Sequence, residues 1–178
     1  MRKTLGPLAI SASTLCVALV GLIGATGGVA AGGVTASATG SGHTDALGGN
    51  RTFAFTARQY ADGTDKGQLE INFHPGETSP IPHIVVQAEV DCLRVIGNVA
   101  IISGTVKHTN FPAFENVRGI LSVQDNGEGG SAPPDLISGA AMGGGVIIVP
   151  PTSPLDCTNV MPPPNQSIDR GNVQVRSD

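Results

Sequence analysis

Two short runs constrain this chain more than any other feature. In RTFAFTARQYA, Phe53, Phe55 and Ala57 alternate with Thr52, Thr56 and Arg58; in QLEINFH, Leu69, Ile71 and Phe73 alternate with Gln68, Glu70 and Asn72. A period of two is that of a strand with one face buried and the other wet. The turn chemistry of ADGTDKG between them makes the pair an antiparallel hairpin. The pattern then recurs: Ile84, Val86, Ala88 and Val90 share one face, Gly97-Asn98 supplies a tight turn, and VAIISGTVK returns as a partner strand. RGILSVQDNG, DLISG, the apolar run Val146 to Val149 and the terminal GNVQVRSD add further strands, with HPGETSPIP and the Pro162 to Pro164 triplet as loops. Beyond the N-terminal segment, no stretch places apolar residues at i, i+3, i+4 and i+7. The expected fold is therefore all-β: a single antiparallel β-sandwich or partly open barrel of about seven to eight short strands.

The N-terminus reads differently. Arg2 and Lys3 precede an uncharged apolar run from Leu5 to about Val20, and small residues follow. That order is the one a secretory signal peptide uses. A cut after Ala36-Ser37-Ala38 fits, with Val29-Ala30-Ala31 as the other candidate. Residues 1–38 are read as signal peptide, 39–50 (TGSGHTDALGGN) as a flexible mature N-terminus and 51–178 as the β domain. An uncleaved anchor is the rival, because Leu8 to Ala38 carries no charge; a membrane is a partner only in that case. Cys16 lacks the small residue expected just before a lipidated cysteine.

Without Arg2 and Lys3 the chain keeps 8 Lys and Arg against 14 Asp and Glu, a net charge of −6. A phosphate backbone needs a basic stripe, so nucleic acid is not an expected partner. The cysteines of that chain are Cys92, within VDCLRVIGN, and Cys157. Two cysteines in an exported chain are most simply one disulfide. A nucleophilic thiol and a zinc ligand are the alternatives; the first needs protection from oxidation, and the second lacks a CxxC partner or a nearby His.

VDCLRVIGNVAIISGTV, then VQDNGEGGSAPPDLIS, then a late cysteine and a GNVQV strand resemble a group of secreted actinobacterial proteins of uncharacterised function. The resemblance runs from about Phe53 to the C-terminus. It implies export, a compact β fold and a Cys92 to Cys157 bridge, and it carries no activity and no catalytic residues.

The most chemical-looking stretch is QDNGEGG, residues 124 to 130. Asp125, Asn126 and Glu128, with Asp135 close behind, offer oxygen donors on a glycine-bearing loop, which is what calcium requires. The spacing is not that of an EF-hand, and Asn-Gly is also the favoured pair for a tight turn, so a structural turn competes with the metal reading. His43, His74, His83 and His108 are scattered, with no pair at i, i+2. GxSxG, SxxK and HExxH are missing, and Gly143-Gly144-Gly145 is not followed by the Lys-Ser/Thr of a phosphate loop. Glu89 and Asp91 sit two apart, as a solvated strand face does. The expected role is structural or binding, at or outside the cell surface, with an extracellular or cell-wall partner. An extracellular hydrolase and a calcium-dependent binding module are the alternatives. Convergence of His74, His83 or His108 with an acid in one cleft would favour the hydrolase.

Overall fold

The computed structural model describes residues 32–46, 48–77, 79–129, 131–138 and 147–178. Most of the expected signal peptide and the Gly143 to Gly145 run lie outside the described residues. The strands are β1 (Val34–Ala46), β2 (Gly49–Tyr60), β3 (Asp65–Pro75), β4 (Ile84–Ile96), β5 (Val99–Thr109), β6 (Arg118–Gln124), β7 (Leu136–Ser138), β8 (Ile147–Val149), β9 (Pro164–Ser167) and β10 (Arg170–Ser177). A 3-10 turn, Pro112–Phe114, follows β5 and is the only helical element among the described residues. All strands belong to one antiparallel sheet in the order β10-β1-β2-β3-β4-β5-β6-β7-β9, with β8 on β6, and the sheet curls into a half-barrel.

The hairpins of the sequence reading are present. Ala57 faces Gly67 across β2 and β3, and Ile96 faces Val99 across a two-residue turn. Gly97 at φ +59 opens that turn, the arrangement of a type II′ reversal. The inner face collects Phe53, Phe55, Leu69, Ile71, Ala88, Val90, Ala100, Ile102, Leu121 and Val123 into one core. Burying such side chains contributes roughly 1.5–3 kcal/mol each before conformational entropy opposes it.

Two strands escape the period-2 reading, which is why ten form where seven or eight were expected. Residues 39–50, read as a flexible N-terminus, instead make up most of β1 and the start of β2; residues 34–38, assigned to the signal peptide, lie in β1 as well. The cause is packing. β1 runs between β2 and β10, and its inward positions are Ala36, Ala38, Gly40, Gly42 and the buried Thr44. A Cβ on Gly40 would lie 3.0 Å from the Phe55 ring, and one on Gly42 would lie 2.6 Å from Ile168 and 2.9 Å from the Phe53 ring. Small residues there are the complement of two large rings, not a sign of slack. The Pro162 to Pro164 triplet hides β9 from the period-2 pattern; an edge strand tolerates proline at its start, and among the described residues β9 pairs only with β7.

The outer face carries a second, smaller core. Strict alternation from Ile84 would send Cys92 inward after Val90. A bulge between Val90 and Cys92 shifts the register, so Leu93 turns inward and Cys92 joins the outer cluster with Ile101, Ile120, Val149 and Cys157. Asp91 anchors the bulge by accepting hydrogen bonds from Ser103 and Thr105 at 3.3 Å each and an ion pair from Arg118 at 2.8 Å. Over this face lies the segment between β8 and β9. Cys157 ties it to Cys92 in a disulfide, Arg94 donates to the Thr158 carbonyl at 2.7 Å, and buried Ser122 donates to the Pro162 carbonyl. Within it, the hydroxyl and amide of Thr158 hold the Asp156 carboxyl below the usual carboxylate range.

The bridge spans 65 residues, for which the chain-entropy model gives about 4 kcal/mol. Cys92→Ser and Cys157→Ser are therefore expected to lower stability equally in denaturant unfolding, with the double variant little worse; additive losses would contradict a shared bridge. For β1, Gly42→Val is expected to cost roughly 1–3 kcal/mol through overpacking against Phe53 and Ile168. An unchanged melting temperature would contradict the assigned contact.

Candidate functional site

The half-barrel has two edges to reconcile, and the residues singled out as a calcium loop do it. β10 pairs with β1 on one side, and its other side faces the loop between β6 and β7. Asp135 is buried; one carboxylate oxygen accepts from the Val173 amide at 2.7 Å and the other from the Asn126 amide at 2.8 Å, while its carbonyl accepts from the Ile168 amide at 2.9 Å. Asp125 bonds the Val175 amide at 3.0 Å and the Gly127 amide at 2.8 Å. Glu128 accepts from the Gln174 amide side chain at 2.9 Å. Asn126 donates to the Pro134 carbonyl at 2.7 Å and accepts from Gln124 at 2.8 Å. The four oxygen-bearing residues thus come together in space, with their oxygens turned toward N–H donors of the protein. Gly127 at φ +88 supplies the turn that the Asn-Gly pair suggested.

Elsewhere, an open groove of about 550 Å³ runs across the outer faces of β2 to β5. Gln68, Glu70, Gln87, Glu89, Lys107 and His108 line it, and Lys107 pairs with Glu89 at 3.6 Å. One histidine and two carboxylates do therefore share a cleft. All three are exposed, so neither acid is desolvated as a general acid needs to be, and no serine or cysteine lines the groove. Its exposed side chains offer hydrogen-bond donors and acceptors.

The remaining histidines fall at two corners. His74 and His83 stack with ring centroids 4.8 Å apart, both exposed. His43 sits on β1 beside Asp45, and the turn from β9 to β10 brings Asp169 against them, 124 residues along the chain from Asp45. No sequence pattern announces this grouping, because His43 and Asp45 lie on a strand of small residues and Asp169 on a turn more than 120 residues away. Behind it, on the inner face, Arg51 is fully buried and donates to the Thr44 hydroxyl at 3.1 Å and to Gln166 at 3.1 Å. Burial lowers its pKa to about 10, so it is a cation at neutral pH. Beside it is an apolar cavity of about 50 Å³ bounded by Ile71, Phe73, Ile84 and Phe114, far below the size of a drug-like ligand pocket.

No known protein-family model, curated protein or solved structure matches this chain.

Removing the Asp135 carboxylate leaves a buried amide and a half-buried one without acceptors. Asp135→Ala is therefore expected to cost about 2–5 kcal/mol, and Asp125→Ala less, by urea unfolding in the presence of chelator. A wild-type melting temperature that rises in millimolar calcium, with the rise abolished by Asp125→Ala/Glu128→Ala, would instead make the loop a cation site.

Proposed function

We propose that this chain is an exported, disulfide-stapled β domain that acts by binding, at or outside the cell surface, as the resemblance to secreted actinobacterial proteins also suggests. The observation that carries the proposal is the Cys92–Cys157 bridge, with Cys157 fully buried and the bridge holding the outer segment down on β4 to β6. A bridge of this kind belongs to an oxidising compartment. Among the described residues, no helix is long and apolar enough to cross a membrane.

The fold also bears on where a leader would be removed. A cut after Ala38 would strip Val34 to Ala38 from between β2 and β10 and take away Ala36 and Ala38, which are 7% and 0% exposed. Val29-Ala30-Ala31 leaves the strand whole, and the proposal takes the bond after Ala31 as the processing site. The binding surface in this reading is the groove over β2 to β5. Its rows of amide and carboxylate side chains suit a polar polymer of the cell wall, and the inner face of the sheet beneath packs on the main core.

Export and binding are tested on one preparation. Intact mass of the protein recovered from culture medium is expected to match a chain beginning at Gly32 and two hydrogens lighter than its reduced form. A full-length, reduced protein retained inside the cell would overturn the proposal. Co-sedimentation with purified cell wall is expected for the wild type and reduced severalfold in Gln68→Ala/Gln87→Ala at unchanged melting temperature. Sedimentation no greater than a ligand-free control would remove the wall as partner.

A further inference from the structure

We infer that His43, Asp45 and Asp169 form a binding site for a divalent transition metal of the zinc class. One ligand atom from each residue can be chosen so that all three lie within 4.8 Å of one another, the only such group among the described residues. Around zinc, ligand bonds of about 2.0–2.2 Å in tetrahedral geometry place neighbouring ligands roughly 3.4 Å apart. His43 Nδ1 and Asp169 Oδ2 already stand at 3.9 Å, so side-chain adjustments of well under an ångström per atom bring that pair to a bound distance.

A second observation points the same way. Nδ1 of His43 is shielded from water and has no hydrogen-bond partner. At 3.9 Å the Asp169 carboxylate is too far to supply one. A buried ring nitrogen left unsatisfied is costly unless something fills the gap, and a cation between Nδ1 and the two carboxylates would satisfy it while neutralising both acids.

The surroundings hold the three residues in place without occupying the gap. Asp169 donates its amide to the His43 carbonyl at 2.9 Å, and the Asp45 amide donates to Asp169 Oδ2 at 3.3 Å. Gln166 donates to the Asp45 carbonyl and is itself held by buried Arg51. Ligand-bearing backbone is thus fixed by bonds among the ligand residues themselves, with a further layer behind, as metal sites require. One imidazole with two carboxylates selects zinc or a neighbouring transition ion over calcium, which takes six to eight oxygens. Asp45 and Asp169 are exposed, so water completes the coordination and the site is open to a further ligand. The metal would join β1 to the turn that enters β10, the corner where the half-barrel is drawn together.

The test uses the full oxidised chain, purified with chelator and then dialysed, and does not depend on export. Zinc titration by calorimetry is expected to show one site, with the melting temperature rising by several degrees at saturation. Bound Co²⁺ is expected to show visible ligand-field absorption. His43→Gln, Asp45→Asn and Asp169→Asn, each isosteric enough to fold, are expected to lose the heat, the shift and the spectrum while keeping the metal-free melting temperature. Absence of zinc binding by the wild type would overturn the inference, and so would binding that survives His43→Gln.

Discussion

The Asp135 carboxylate is the interaction on which this structure turns. A curled sheet that stops short of a closed barrel leaves one edge of its first or last strand unpaired, and unpaired edges invite other chains. Here the edge of β10 that faces away from β1 meets side-chain carboxylates in place of a backbone ladder. Asp135 and Asp125 accept from Val173 and Val175, alternate amides on the same strand edge. A carboxylate accepting backbone N–H groups makes bonds stronger than a neutral carbonyl does. Because Asp135 also bonds Asn126, the loop that carries it is shaped by the same group that fastens β10. Closure and turn formation are one event.

The disulfide works on the opposite side of the sheet and depends on a different irregularity. Without the bulge at Asp91, Cys92 would take the inward position and Leu93 the outward one; with it, the outer face acquires a small apolar patch for the segment around Cys157 to cover. The sheet is consequently buttressed inside by Phe53, Phe55 and their neighbours and outside by the stapled segment. The faces of β2 to β5 left over are wet, polar and rigidly spaced. Preorganised surface of this kind is what lowers the entropic cost of binding.

The all-β class, the central hairpins and the Gly97 turn were legible in the sequence because each rests on local chemistry, a period of two and a residue able to adopt positive φ; the cysteine pair was legible once Cys16 is set aside with the N-terminal segment, leaving Cys92 and Cys157. β1 was not legible. Its inward positions are Ala, Gly and Thr, and their smallness makes sense only once the Phe53 and Phe55 rings of the neighbouring strand are placed over them. Asp125, Asn126, Glu128 and Asp135 stand out in the sequence as oxygen donors on a glycine-bearing loop, but nothing local says that Asp125, Glu128 and Asp135 meet the edge of β10, some 40 to 50 residues further on. The grouping of His43 and Asp45 with Asp169 was hidden for the same reason, since period and spacing report on neighbours in sequence and say nothing of which distant turn will arrive beside them.

The position of β1 between β2 and β10 has a consequence for the order of assembly. A meander can form hairpin by hairpin as its strands appear, and β2 through β5 pair only with their neighbours in sequence. β1 is different, because half of its pairing waits for the final strand. Loops of that length close slowly, since the ordering entropy is spent before the contacts return it. Until β10 arrives, Phe53 and Phe55 are roofed by a strand held along one edge only, and the nascent domain stays soft at its N-terminal end. The sheet is therefore incomplete on that side until β10 is available, and its pairing with β1 joins strands more than 120 residues apart.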